Sequence, residues 1–157
     1  MKHIEKTDDK DSQNATQWPN LLEMKNMTPL FDLLNQELSI DYWYDVERFR
    51  VAERLNELGE SEWTFLLDNW SMLSSHGMIH LVEACNVLDS DQCFPLFEVM
   101  LKVEDPMVGA SICSALVELG YNSNLGTSIL PDLQRHWANA TGYERDQIDL
   151  LMGRISA

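Results

Sequence analysis

His76 and His80 are spaced i, i+4, the interval at which two imidazoles share one helix face and can clasp a metal ion. A zinc hydrolase of that design also needs a glutamate directly after the first histidine. Gly77 stands there, and Cys85 falls five residues after His80, pointing elsewhere around the helix. The pair therefore reads as a first-turn histidine and a packed histidine, with no metal expected. A cysteine nucleophile needs a base nearby and a helix N-terminus or cation to lower its pKa. Cys85 and Cys113 take positions that are apolar in neighbouring segments and read as core thiols. Cys93 lies in a first helical turn, yet no partner base accompanies it. The seven glycines are scattered at helix ends and turns, so no phosphate-cradling loop is present, and carboxylates are too plentiful for any acid/base pair to stand out. No enzymatic activity and no cofactor are expected.

The elements that must carry these residues are helical. From Leu21 onward apolar residues recur at three- and four-residue spacing, without the strict alternation of strands. Thr28-Pro29 reads as a cap followed by a first-turn proline, opening a helix to about Leu38. Asp41 caps a helix over 42–58 that ends at Gly59. Helices follow over about 61–71, 75–88 and 90–103. Asp105-Pro106 opens one that closes at Leu119-Gly120, the next spans 128–138, and Thr141 with Glu144 makes a capping box for the eighth. Residues 1–20 hold only four apolar side chains and are expected to be a flexible polar arm, leaving 21–157 as a single helical-repeat domain. A chain of 157 residues is the usual size for one core.

The eight helices fall into a period. A shift of 36 aligns Pro95 with Pro131, Ile112 with Ile148 and Leu116 with Met152. A shift of 31 aligns Trp63 with Phe94, Leu81 with Ile112 and Ala84 with Ala115. The segment from Cys93 to Gly120, with Pro95 in its first helix, the Asp105-Pro106-Met107-Val108 turn and Ala110, Ala115, Leu116, Leu119 and Gly120 in its second, resembles a HEAT-type repeat. It departs from that pattern at Gly109, where the family usually carries arginine. The resemblance implies an all-α fold, a short right-handed α-solenoid of about four stacked helix pairs. It specifies architecture rather than activity.

Charge then narrows the partner. The chain has 26 acidic residues against 11 lysines and arginines, a formal net charge of −15, and a sequence pI near 4.4. Nucleic acid is excluded as a direct ligand, because phosphate contacts need basic side chains, and so is an anionic membrane surface. The longest stretch free of charged residues, Asn69 to Val82, is too short and too polar to span a bilayer. The start lacks an apolar run after Lys2, so no secretory signal is expected. Three cysteines without paired spacing suit a reducing cytoplasm. Between Leu55 and Gln134 twelve acids face one base, Lys102, a net of −11. Capping accounts for Glu60, Glu62, Asp89, Asp91 and Asp105 individually, but not for the near absence of bases.

In a solenoid the connections between repeats share one edge. Glu60, Glu62, Asp89 and Asp91, followed by Tyr121, are expected to form an acidic ridge there, while Glu83 and Glu118 line the adjoining concave face. These seven residues are the candidate partner-binding set. An acidic, helical, single-domain protein of this size is similar to the immunity proteins of bacterial toxin systems, including contact-dependent growth inhibition. That resemblance implies a cytoplasmic protein that binds a basic toxin domain, a nuclease foremost, and occludes its active groove. The competing expectation is a HEAT-like adaptor or secretion chaperone that holds a client segment through apolar contacts.

Overall fold

The computed structural model describes residues 18–88, 90–121 and 127–156. Among them the chain forms eight helices and no strand, as the apolar spacing requires. In chain order these are α1 (Trp18–Asn35), α2 (40–56), α3 (Glu60–Asn69), α4 (Ser75–Leu88), α5 (Cys93–Met100), α6 (Pro106–Glu118), α7 (Leu130–Asn139) and α8 (Gly142–Ser156). A 3-10 turn, Trp70–Met72, follows α3, and another, Thr127–Ile129, precedes α7.

The helices pack in two layers. In one, α2, α4, α6 and α8 lie each against the next; in the other, α1 packs on α3 and α3 on α5. The layers meet through α1 on α2 and α4, α5 on α6, and α7 on α6 and α8. Each helix contributes a leucine without solvent exposure to the shared core: Leu34, Leu55, Leu66, Leu81, Leu96, Leu116, Leu133 and Leu151. Burying one such side chain favours folding by roughly 1.5–3 kcal/mol, which ties every helix to the same core.

Several boundaries differ from the sequence expectation. Helix α1 begins at Trp18, so 18–20 belong to it rather than to the polar arm, and the rest of that arm, residues 1–17, lies outside the described residues. Thr28 is therefore interior to α1, where its Oγ1 donates to Met24 O at 2.7 Å, and Pro29 sits on the exposed face. An interior proline costs a helix about 3 kcal/mol. The opposing stripe of Met27, Leu30, Phe31 and Leu34, all buried, offsets that cost by packing. Ser39, not Asp41, caps α2, its hydroxyl accepting from Tyr42 N at 3.3 Å. Gly59 does not close α2 in a left-handed turn: its φ is −77°, and it caps α3, with its N–H donating to Glu62 Oε1 at 3.2 Å.

Two signals match the expectation. Asp105 caps α6, accepting from Met107 N at 2.9 Å, with Pro106 in the first turn. The Ser75 hydroxyl and these backbone donors hold the Asp105 carboxyl below the usual carboxylate range. Gly120, with φ at +75°, ends α6 in the left-handed conformation. No helix among the described residues is long and apolar enough to cross a membrane.

Candidate partner-binding groove

Glu83 and Glu118, on α4 and α6, open onto one groove across the even-numbered layer. Its walls are Tyr44 and Arg48 of α2, Glu83, Asn86 and Val87 of α4, and Ser111, Ser114 and Glu118 of α6, enclosing about 510 Å³. Helical geometry selects these residues. Tyr44 and Arg48 are i, i+4; Glu83, Asn86 and Val87 are i, i+3, i+4; Ser111, Ser114 and Glu118 are i, i+3, i+7. Each set occupies one helix face, while Ile112, Cys113, Ala115 and Leu116 turn the other face of α6 into the core.

The first wall is shaped by an irregularity. Over Trp43–Glu47, α2 widens into a π-helical turn, in which the Arg48 N–H donates to Trp43 O, five residues back. Trp43 and Tyr44 consequently both reach Glu83. The Trp43 indole Nε1 donates to Glu83 Oε2, and Tyr44 OH donates to Glu83 Oε1 at 2.8 Å. Burial, then the hydrogen bond to Glu83, raises the Tyr44 pKa above its ordinary value. Behind this wall the buried His80 ring stacks on Trp43 at 3.8 Å between centroids, and His80 Nδ1 pairs with Leu34 O at 2.8 Å. His76 meets His80 edge-on at 4.0 Å. Both histidines thus have packing partners, and among the described residues no group of three potential ligands surrounds a metal position.

On the second wall Asn86 Nδ2 donates to Glu118 Oε2 at 2.9 Å, while Asn86 Oδ1 is shielded from solvent without a hydrogen-bond partner. Arg48 is held by its own helix. Its Nε donates to Tyr44 O at 2.8 Å, and Cζ lies 5.0 Å from the Tyr44 ring centroid and 4.9 Å from that of Phe49. The ion pairs among the described residues are Arg50–Glu47 at 3.7 Å and Arg135–Asp132 at 3.3 Å, each within one helix. Glu83 and Glu118 belong to neither.

The remaining described candidates are not among the residues that line this groove. Glu60 is exposed in the first turn of α3 and lines a different groove between α1 and α3, with Glu23, Asp68 and Phe65 among its walls. Glu62 is the half-buried acceptor for the Gly59 N–H, Asp91 is exposed just before α5, and Asp89 lies outside the described residues. Tyr121 is no ridge residue, because its side chain is fully buried. The reason is the end of α6: Gly120 N donates to Val117 O at 3.2 Å and Tyr121 N to Leu116 O at 2.9 Å, a Schellman pattern that folds the next side chain back over the helix. There Tyr121 meets Phe94 edge-on at 5.2 Å and its OH donates to Glu98 Oε1 at 3.0 Å.

Tyr44, Arg48, Asn86, Ser111 and Ser114 were not among the expected contacts. Their spacing from Glu83 or Glu118, or from one another, was the available signal, but the juxtaposition of α2 with α4 and α6 was not. The three cysteines are buried. A hydrogen bond with Cys93, then burial, pushes the Cys85 thiol pKa well up, and burial alone raises that of Cys113 to about 12, the reverse of what a nucleophile requires. No protein-family model, curated protein or solved structure matches this chain.

Proposed function

We propose that this is an acidic immunity-type protein that binds a basic toxin domain, a nuclease foremost, and occludes the groove through which that domain meets nucleic acid. The architecture proposed with it is a right-handed, HEAT-like stack of four helix pairs in which α2, α4, α6 and α8 line the concave side. The observation that supports this reading is the groove itself, where the half-buried Glu83 and the exposed Glu118 stand on adjacent helices, neither in an ion pair among the described residues. A net charge of −15 surrounds them and would steer a cationic protein toward this face. Location in the cytoplasm, where such a toxin acts, is part of the same proposal.

The test is complex formation with the product of the neighbouring upstream gene, where that product ends in a toxin-like domain, together with protection from its activity. Binding is expected to weaken steeply as salt rises and on reversing the charges of Glu60, Asp91 and Glu118 together. No complex at low salt, or protection indifferent to those reversals, overturns the proposal. Exposed apolar side chains along α2, Ile40, Tyr42 and Phe49, favour the alternative adaptor or chaperone role. That role predicts affinity that salt leaves unchanged and that apolar truncation on α2 weakens.

A further inference from the structure

We propose that the cleft between α1 and α3 is a second docking surface, independent of the toxin-binding role, and that its occupant is a basic amphipathic helix of another protein. Two cavities adjoin there. One, of about 620 Å³, follows α3 and takes in Glu23, Glu60 and Asp68. The other, of about 200 Å³, follows α1 and is bordered by Met24, Asp32 and Met72. Phe65 lines both, and its buried ring lies 6.0 Å from that of Phe31.

The α1 cavity is apolar yet open to water. Met24 is 41% exposed and Met72 55%, and they share it with the buried Met27, Phe31 and Phe65. Unbranched thioether side chains adapt to the shape of an entering apolar group, so such a surface binds without rigid complementarity. Charge then selects the sign of the occupant. Glu23, Asp32, Glu60 and Asp68 line the two cavities with no lysine, arginine or histidine among the walls, and none of the four is in an ion pair among the described residues. A complementary segment carries lysine or arginine beside its apolar anchors. Its conformation follows from the main chain. Between their ends α1 and α3 use their backbone groups within their own helices, and no strand among the described residues offers an edge. A segment buried there must satisfy its own N–H and C=O groups, which a helix does and an extended chain does not.

The experiment titrates the full chain with a leucine–lysine peptide of about four helical turns, its leucines at i, i+3, i+4 and i+7, while following methionine methyl and indole N–H signals by NMR. The controls are a scrambled peptide of the same composition and a leucine–glutamate peptide of the same pattern. The amphipathic lysine peptide is expected to become helical, to shift the Met24 and Met72 methyls, and to leave the Trp43 indole of the other groove in place. The scrambled peptide should bind about tenfold more weakly, the scale of one lost apolar anchor, and the glutamate peptide should not bind. Met24→Gln with Met72→Gln should lower affinity by about tenfold, and Asp32→Asn with Asp68→Asn by about fivefold. Ile40→Gln, at a side chain equally apolar and exposed but outside the cleft, should leave it unchanged. Equal binding of the scrambled peptide, affinity indifferent to the methionine pair, or shifts at Trp43 in place of Met24 and Met72 overturn the inference. Methionine shifts that follow protein concentration without any peptide make a second copy of the chain the occupant, and overturn it as well.

Discussion

Gly109 of α6 lies directly beneath the ring of His136 from α7, so closely that a Cβ at Gly109 would overlap His136 Cε1 and Nδ1. His136 Nε2 in turn pairs with Leu101 O at 2.8 Å. Arg135 donates to the same carbonyl at 2.8 Å and to Val103 O at 3.1 Å. The carbonyls just beyond α5 are thus satisfied from the following helix pair. Any side chain at position 109 would meet the histidine ring.

Gly109→Ala is accordingly expected to destabilise, although alanine is the better helix former by about 1 kcal/mol. The overlap with His136 should cost about 1–3 kcal/mol in urea unfolding. Combining it with His136→Ala should give a loss smaller than the sum of the two, since the second change removes the obstruction. Strictly additive losses would count against the contact.

Stability should fall in mild acid through His80. Burial depresses its pKa below the ordinary 6.5, opposed by its bond with Leu34. The unfolded chain therefore takes up a proton at a higher pH than the folded one. The contribution of His80 is present above about pH 6.5 and is lost as pH drops through the depressed folded value. Urea midpoints compared at pH 7 and pH 5 should show this fall, and His80→Gln should flatten it.

The thiols should be silent in the native state. All three cysteines are buried, and Cys113 titrates only near 12. A disulfide reagent at pH 8 is expected to modify native protein only at the rate of unfolding, and to modify three thiols per chain once it is denatured. The same shift has a pH consequence. The unfolded thiol ionises near 9 while the folded one does not, so the Cys113 contribution is lost as pH rises from about 9 through about 12. Cys113→Ala should remove that part of the alkaline loss.

Tyr121 should behave as a core residue. Tyr121→Phe retains the edge contact with Phe94 but not the bond to Glu98, and should cost about 0.5–1.5 kcal/mol. Tyr121→Ala leaves a cavity and should cost about 3–5 kcal/mol. Charge-dependent partner binding should survive the phenylalanine substitution, which a direct contact residue would not allow.

What the sequence determined by itself is local. Apolar spacing over three and four residues specifies helices throughout, because only a 3.6-residue turn puts such residues on one face. Asp105-Pro106 and Gly120 mark the ends of α6 through interactions that span no more than five residues. Grouping of Glu83 with Glu118 also followed from helix faces, given the repeat. Tertiary structure decided everything that depends on a neighbour remote in sequence. Packing of Met27, Leu30, Phe31 and Leu34 carries α1 through a proline that otherwise reads as its start. Phe94 and Glu98, more than twenty residues away, enclose a tyrosine that otherwise reads as exposed. Trp43 and Tyr44, some 40 residues away, turn Glu83 from a free surface charge into the acceptor that fixes one wall of the groove. Helix propensity and capping act within a turn or two, whereas burial depends on which helix arrives opposite, and the final role of a polar side chain is set by burial.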